Sequence, residues 1–404
     1  MTALGRREIS ILPNINLRWL LTTLVLTLAA CEPFPEPKAA PPPPVPVPGE
    51  LDLTGGARFV AEDLVKQLGP AGTATRSLVI DPFIDGRTGQ QTRASQLSEQ
   101  RFAEALMGLA PGLKVLRFDS AGAAEARLLV SGTLSGLPEA ERYRLSIALS
   151  DRAAGMVVAQ AVAPLRQAGL DASPTRFYTD SPSLVRDRSV EGYLRTAETA
   201  RGAAADALYI EQVPTAALLA NALDEYNAGR WQEALTLYKA AAERPDGQQL
   251  RSFNGIYLTN VQLGHETEAE EAFGKIAALG LATNNLAVKL LFRPGTTEFW
   301  PDPKVSGVYP MWLRQIARAT STAGVCLNVV GHTSRSGTEA VNERLSLARA
   351  TTIRARLDRE APGLAARSQV TGVGFRENLV GSGADDASDA VDRRVEFKVV
   401  VCAG

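Results

Sequence analysis

Residues 325–337 read VCLNVVGHTSRSG, an apolar run that ends in a polar turn bounded by two glycines. The run predicts a buried strand over 325–333, and the glycines predict a tight turn at its end. The next segment, TEAVNERLSLARATTIRARLD at 338–358, has the periodicity of a long helix. The order of strand, turn and helix therefore predicts an α/β unit.

One face of this helix mixes apolar and polar residues. Asn342, Ser346, Arg349, Ile353 and Leu357 are spaced i, i+4, i+7, i+11 and i+15, so they fall on a single stripe. The C-terminal end of the stripe is apolar, and we expect it to face the sheet. Surface arginines are available elsewhere on the helix, so the polar N-terminal end is interpreted as one wall of a pocket.

A second interpretation of Arg349 stays open at this stage. A buried guanidinium also suits an internal ion pair, and Glu339 and the acidic cluster at 385–389 are candidate partners. In that case the polar end of the stripe would stabilise the fold without forming a pocket.

Four segments together resemble one known domain. They are GHTSRSG (331–337), NERLSLARA (342–350), GVGFRE (372–377) and DRRVEF (392–397). Their order and spacing resemble the OmpA-like peptidoglycan-associated domain, over residues 284–404. The resemblance implies a mixed α/β fold, and periodicity predicts its further elements as strands at 286–292, 369–375 and 391–401 and a helix at 309–322.

The resemblance also implies a ligand, the zwitterionic diaminopimelate of peptidoglycan stem peptides. In the family an arginine binds its carboxylate and an aspartate binds its ammonium. Carried over by position, the arginine is Arg349, while the acid falls at Ser334, which keeps a hydroxyl without the charge. The implied peptidoglycan-binding residues are Thr333, Ser334, Asn342, Arg349, Arg393 and Arg394.

Cysteine usage points to an exported chain. Cys326 and Cys402 remain once Cys31 is assigned to a lipid, and an even remainder suggests a disulfide. In the OmpA-like sheet the strands that carry them are antiparallel neighbours, which implies a Cys326–Cys402 bond. Two free buried thiols are the alternative.

The first 50 residues read as a targeting and tethering segment. Arginines precede the apolar run WLLTTLVLTLAA (19–30), which is shorter than the roughly 20 residues of a membrane-spanning helix and suits a signal peptide over 1–30. LAAC at 28–31 resembles a bacterial lipobox, which implies lipidation of Cys31; an ordinary signal with a chance cysteine is the alternative. The proline-rich stretch that follows predicts an extended tether over 31–50.

Residues 51–168 alternate between helical and strand patterns. Helices are predicted at 57–68 and 96–110, and strands at 77–83, 113–118 and 127–134, with a hairpin after them. The order resembles the small α/β domain of Tol-system propeller proteins and curli-secretion lipoproteins. Asp81 and Asp85 are interpreted as part of a strand-end turn, with a metal loop as the alternative.

A connector at 169–212 precedes an internal repeat. Gly229, Ala234 and Tyr238 recur 35 residues later as Gly264, Ala269 and Phe273. The offset is close to the 34-residue period of tetratricopeptide repeats, which residues 213–282 resemble. A packed spacer and a peptide-binding groove both fit this pattern.

Taken together, the sequence predicts a multidomain α/β plus α protein: an N-terminal α/β domain, a short helical repeat and a C-terminal OmpA-like domain with a mixed sheet. The net charge of −1 gives no reason to expect nucleic acid as a partner. No catalytic or metal-ligand spacing is found, so neither an enzyme nor a cofactor is predicted; His265 and His332 are the only histidines.

The functional hypothesis is an outer-membrane lipoprotein, lipid-anchored and facing the periplasm, that binds peptidoglycan without covalent chemistry. In enterobacterial lipoproteins an aspartate after the lipidated cysteine favours inner-membrane retention, so the lipobox resemblance together with Glu32 implies the outer membrane. Envelope proteins are further partners through the helical repeat. The alternative is an envelope adaptor that keeps the fold and binds peptidoglycan weakly or not at all.

Overall fold

The computed structural model describes residues 50–73, 76–137, 139, 141–383 and 388–402. The predicted signal peptide, the lipidated Cys31 and the proline tether up to residue 49 lie outside the described residues. Those that are described belong to one compact unit. They form two mixed sheets with helices packed on them, which confirms the predicted α/β class.

The first sheet has the order β3-β1-β4-β5-β6, and β2 pairs with β4. Strands β1, β3 and β4 are parallel, whereas β4, β5 and β6 are antiparallel. Helices α1 and α2 cover one face. The elements are α1 (Leu53–Thr73, interrupted at Gly69), β1 (Ser77–Ile80), β2 (Ile84–Asp85), α2 (Arg93–Leu109), β3 (Lys114–Leu116), α3 (Ser120–Glu125), β4 (Leu128–Gly136), β5 (Arg142–Asp151) and β6 (Met156–Arg166).

Strand β1 ends at Ile80, three residues before the predicted end at 83. Asp81 still donates its backbone N–H to Val130, but Pro82 has no N–H with which to continue the ladder. The strand end therefore turns away and leaves the Asp81 side chain at the carboxyl edge of the sheet.

A helical segment follows, and it includes most of the predicted connector. Its helices are α4 (Arg176–Asp180), α5 (Arg188–Ala197), α6 (Ala207–Asn227), α7 (Trp231–Ala242), α8 (Leu250–Leu263) and α9 (Glu266–Ala282). Gly229 and Gly264 have φ values of 78° and 76° at the turns before α7 and α9. Tyr238 and Phe273 are buried at equivalent places in those two helices. The residues that define the 35-residue offset thus occupy equivalent positions.

The second sheet has the order β7-β10-β8-β9. Strand β10 is antiparallel to both neighbours, and β8 is parallel to β9, to which it is joined through the long helix α12. The elements are β7 (Ala287–Lys289), α10 (Pro303–Ser306), α11 (Tyr309–Ala323), β8 (Cys326–Gly331), α12 (Glu339–Glu360), β9 (Ser368–Gly372) and β10 (Arg394–Val400). Strand β10 begins three residues after the predicted start at 391, because Ser388–Asp392 forms a 3₁₀ turn.

The helical segment and the second sheet share one hydrophobic core. Trp312 of α11 stacks on Phe273 of α9, with ring centroids 5.3 Å apart and an interplanar angle of 5°. Its indole Nε1 donates to the hydroxyl of Tyr257 in α8 at 2.9 Å. The helices of the repeat therefore pack directly against the C-terminal sheet.

A disulfide joins Cys326 to Cys402. Cys326 begins β8 and pairs with Val400, so the antiparallel ladder brings the C-terminal cysteine alongside. The loop that it closes has a sequence separation of 76 residues, and the chain-entropy treatment assigns about 4.5 kcal/mol of stabilisation to closing such a loop.

Among the described residues, no helix has the length and hydropathy needed to cross a membrane.

Candidate functional site

A cavity of about 310 Å³ lies where β8 ends and α12 begins. Its walls are the turn after β8, the N-terminal half of α12 and the loop after β7. Five of the six predicted binding residues line it: Thr333, Ser334, Asn342, Arg349 and Arg393. The carboxyl end of one strand and the start of the next helix are a common place for a ligand in α/β folds.

The stripe on α12 faces the interior along its whole length. Asn342, Ser346, Arg349, Ile353 and Leu357 are all buried. The two C-terminal members are in the hydrophobic core, whereas the polar members lie at the cavity end. The helical spacing in the sequence therefore predicted the orientation of α12 correctly.

The loop after β7 holds the Arg349 guanidinium. Nε donates to the carbonyl of Thr296 at 3.0 Å, and Nη2 donates to the carbonyl of Arg293 at 3.3 Å. The guanidinium carbon lies 4.7 Å from the centroid of the Phe292 ring, in cation–π contact. These contacts orient a cation toward the cavity wall, where a carboxylate is the complementary ligand.

Sequence reasoning did not single out this loop. Phe292 and Trp300 line the cavity with Pro294 and Gly295. The available signal was the segment PGTTEFW directly after a predicted strand, in which Pro-Gly marks a turn and two aromatic residues follow. Aromatic side chains beside a cation give such a pocket an apolar wall as well as a charge.

The ion-pair alternative for Arg349 is tested only in part. Glu339 Oε1 lies 3.5 Å from a guanidinium nitrogen of Arg376, which makes it a surface partner of that residue. In the acidic cluster, Asp389 accepts a hydrogen bond from the Ser382 hydroxyl at 2.6 Å. Residues 384–387 lie outside the described part of the chain, so this alternative stays open for them.

The neutral residues of the cavity have different roles. Thr333 and Ser334 are buried, with 2% and 5% of their surface exposed. Within the described residues, Thr333 Oγ1 has no hydrogen-bond partner. The Asn342 amide instead donates to the carbonyls of Ser336 at 2.6 Å and Thr338 at 3.1 Å, which fixes the turn before α12.

Ser346 also serves the fold rather than the cavity. Its hydroxyl donates to the carbonyl of Glu343 at 2.8 Å and accepts the backbone N–H of Gly374 at 2.9 Å. The end of β9 is thereby attached to α12. The hydroxyl that the sequence placed at the polar end of the stripe is used for this contact.

The structure separates the two arginines of the DRR segment. Arg393 lines the cavity, but Arg394 is absent from its wall. The Arg394 guanidinium contacts Glu396 Oε1 through Nη2 at 2.7 Å and Nε at 2.8 Å, and the side chain is 4% exposed. Arg394 is the first residue of β10 and lies on the same face of that strand as Glu396, two residues later, which holds its guanidinium.

Arg394 belongs to a buried charge cluster behind the cavity. His332 Nε2 lies 3.3 Å from Glu396 Oε1, and ligand atoms of His332, Glu377 and Glu396 lie within 4.8 Å of one another. Burial raises the pKa of Glu396, but the nearby His332 imidazole and the Arg394 charge lower it by more, so the net shift is downward. Lys398 Nζ adds a second cation at 3.0 Å. A metal ion would therefore compete with Arg394 and Lys398, which already neutralise the charge of Glu396.

The sequence did not reveal this cluster, because it shows no potential metal ligand at a suitable spacing from His332. The reason is that Glu377 and Glu396 are 45 and 64 positions from His332 and reach it through the pairing of β8, β9 and β10.

Asp392 is likewise a structural residue. Its carboxylate accepts the N–H groups of Leu379, Val380 and Gly381 at 2.6 Å, 3.1 Å and 2.7 Å.

The N-terminal α/β region contains a second, smaller feature. Asp85 accepts the N–H of Thr88 at 2.7 Å, which agrees with the predicted strand-end turn. Asp81 is buried beside a cavity of about 40 Å³, and Tyr209 of α6 donates its hydroxyl to it at 2.8 Å. Burial raises the pKa of Asp81 to about 7, against the lowering effects of Tyr209 and Arg251. A cavity of that size has room for about two or three water molecules.

Comparison with known proteins gives matches in solved structures only. No protein-family model and no curated protein matches the chain. The chain is similar to the peptidoglycan-associated lipoprotein from Burkholderia pseudomallei, with 23% identity over 28% of this chain and 89% of that one and a TM-score of 0.24. It is also similar to the cell wall anchor of the T6SS from Pseudomonas aeruginosa, with 23% identity over 29% and 80% and a TM-score of 0.24. A third is the periplasmic domain of Helicobacter pylori MotB, with 17% identity over 29% and 74% and a TM-score of 0.23.

Proposed function

We propose that this chain is an envelope lipoprotein that binds peptidoglycan non-covalently through residues 284–404. The observation that carries the proposal is the convergence of Thr333, Ser334, Asn342, Arg349 and Arg393 on one cavity. The carbonyls of Thr296 and Arg293 hold the Arg349 guanidinium in a fixed orientation at the cavity wall, and a guanidinium is a suitable partner for a carboxylate. The ligand is the diaminopimelate of a stem peptide, whose carboxylate would meet Arg349 and whose ammonium would meet the Ser334 hydroxyl.

The rest of the chain fits this role as an anchor. Lipidation of Cys31 would attach the chain to the outer membrane, and the tether over 31–50 would span part of the periplasm. The α/β domain at 51–168, the connector at 169–212 and the tetratricopeptide-like helices at 213–282 would be held between the membrane and the peptidoglycan layer. Such an anchor needs no catalysis and no cofactor.

Co-sedimentation with purified sacculi tests the proposal. The wild-type chain is expected in the pellet, and Arg349→Ala is expected in the supernatant because the carboxylate loses its partner. Arg344→Ala is the matched control, since Arg344 is an exposed arginine on the outer face of the same helix. A wild-type chain that stays in the supernatant, or Arg349→Ala that pellets equally well while folded by circular dichroism, would exclude peptidoglycan binding.

An adaptor function is the second candidate, and a groove on the helices favours it. The groove measures about 680 Å³ and lies between α7, α8 and α9. It mixes cations such as Lys239 and Lys275 with acids such as Glu268 and Glu271 around Phe253. A groove lined by charges of both signs suits a protein segment, and a wild-type chain that fails to bind sacculi would favour this second candidate.

A further inference from the structure

A second cleft adjoins the candidate peptidoglycan pocket. It measures about 360 Å³, and Leu291 and Arg393 line both this cleft and that pocket. Its other walls come from α8, from the segment 179–182 and from α10 and α11. The cleft therefore lies between the C-terminal sheet and the helical segment, and it exists only because these parts pack together.

The charges in the cleft favour an anion. Among its described wall residues are Lys289 and Lys304 and one acid, Asp180. Asp180 already accepts the hydroxyl of Tyr226 at 2.8 Å, and it has a guanidinium nitrogen of Arg176 at 3.5 Å. The two lysines and Asp180 together thus carry a net positive charge.

Lys289 is placed to take part in binding. Its Nζ donates to the carbonyls of Tyr178 at 2.8 Å and Thr179 at 3.0 Å, which fixes the ammonium at the cleft wall. An ammonium carries three N–H groups, so these two bonds leave one for a ligand. Burial lowers the pKa of Lys289 to about 8, with Asp180 opposing the shift, and the group remains mostly protonated at neutral pH.

The rim of the cleft is apolar and exposed. Val261 is 43% exposed and Val305 is 36% exposed, and both line the cleft. Trp300, 37% exposed, lines the adjoining pocket. Exposed apolar side chains are thus present at both cavities, and such side chains are typical of a ligand-binding surface.

We propose that this cleft is a second subsite, which binds the carboxylate-bearing, partly apolar remainder of the same stem peptide whose diaminopimelate enters the first pocket. The inference rests on the proposed function, because the two cavities are assigned to one ligand. It adds that the helical segment contributes to recognition: Val261 lies on α8, outside the OmpA-like region. A peptide residue with a free carboxylate and short side chains would meet Lys304 and Lys289 while its apolar part covers the valines.

Calorimetry with two probes tests the subsite in the full-length chain. The probes are meso-diaminopimelate and the tripeptide L-alanyl-γ-D-glutamyl-meso-diaminopimelate. The wild-type chain is expected to bind the tripeptide more tightly. Lys304→Glu and Val261→Asp, at exposed positions, are expected to weaken tripeptide binding by about 3- to 10-fold while leaving the affinity for diaminopimelate unchanged.

Two further variants separate the subsite from the first pocket. Arg349→Ala is expected to lose both probes, and Lys66→Glu is the matched charge reversal on an exposed lysine of α1. If the wild type binds both probes but Lys304→Glu and Val261→Asp bind the tripeptide as wild type does, the subsite is excluded and the proposed function stands. If neither probe binds the wild type, both proposals fail.

Discussion

At position 334 a hydroxyl stands where the resemblance places a carboxylate, and the charged residues in the described part of the cavity wall are Arg349 and Arg393. Within that part of the wall, Arg349 offers a charged group to a ligand and Ser334 a neutral one. A zwitterionic ligand would find a strong partner for its carboxylate and a weak one for its ammonium. This imbalance predicts a site of reduced affinity rather than a lost site.

Ser334→Asp is expected to tighten binding of meso-diaminopimelate about 2- to 30-fold. A hydrogen bond that involves a charged group contributes roughly 0.5–2 kcal/mol more than a neutral one. Calorimetry measures the gain. Ser336→Asp, a second serine of the same cavity wall, should give a smaller gain, and an equal gain would mean that any negative charge suffices. An unchanged affinity for Ser334→Asp would contradict the assigned ammonium position.

Asp81→Asn is expected to change the pH dependence of stability. The pKa of Asp81 is about 7 in the folded chain and 3.8 as its ordinary value, so the folded state retains a proton that the unfolded state loses. The stability due to this group is present below about pH 4 and is lost as the pH rises toward 7, by up to about 4 kcal/mol. Asparagine stays neutral over this pH range, and its side-chain oxygen can still accept the hydrogen bond from the Tyr209 hydroxyl.

Urea unfolding between pH 4.5 and 7.5 checks this expectation. The free energy of unfolding of Asp81→Asn should exceed that of the wild type increasingly as the pH rises. Glu211→Gln, an exposed acid on the same helix as Tyr209, should leave the wild-type slope unchanged. Parallel pH profiles for the wild type and Asp81→Asn would contradict the raised pKa.

At the scale of elements, helix α12 lies unusually close to the second sheet. A Cβ on Gly331 would lie 2.2 Å from the Ser346 carbonyl oxygen, and one on Gly372 would lie 2.4 Å from the Leu347 nitrogen. Strands β8 and β9 therefore meet the helix backbone through glycines. This close approach brings the polar end of the stripe to the cavity.

Gly331→Ala is expected to lower the free energy of unfolding by about 1–3 kcal/mol, because the added methyl must push α12 outward. It should also weaken diaminopimelate binding, since Arg349 moves with the helix. Gly136→Ala is the matched control, a strand glycine whose Cβ would meet nothing within 4 Å. Denaturant unfolding and calorimetry measure both effects, and equal stabilities for the two variants would contradict the close packing.

At the scale of the whole molecule, the shared core makes the helical segment and the second sheet one mechanical unit. Trp312 contacts both α8 and α9, so a pull on the region proposed to bind peptidoglycan would be transmitted directly to the helices. In the proposed anchor, this arrangement would resist separation of that region from the rest of the chain.

Trp312→Ala is expected to lower the free energy of unfolding by about 3–5 kcal/mol, the usual cost of removing a buried tryptophan. Hydrogen exchange should then show α8, α9 and β8 losing protection together. Trp300→Ala, at an exposed tryptophan, should change stability by less than about 1 kcal/mol. Loss of protection confined to the C-terminal sheet would contradict a common core.

The sequence by itself determined the elements of the fold and the direction of the helix stripe. Periodicity is a local property, so α12, the strands around it and the buried stripe from Asn342 to Leu357 could be predicted from neighbouring residues. Positional resemblance placed four residues of the cavity together for a similar reason, since Thr333, Ser334, Asn342 and Arg349 lie on one strand–turn–helix unit.

The tertiary structure alone decided which residues complete the cavity. Phe292 and Trp300 come from a loop about 40 residues earlier in the chain. Arg393 lines the cavity, whereas Arg394 is the first residue of β10 and is held by Glu396 on the same face of that strand. Whether Ser346 faces a ligand or holds Gly374 also depends on how closely β9 approaches α12. Contacts between segments distant in the chain have no periodicity to reveal them, and the second cleft, built from both halves of the core, is the clearest case.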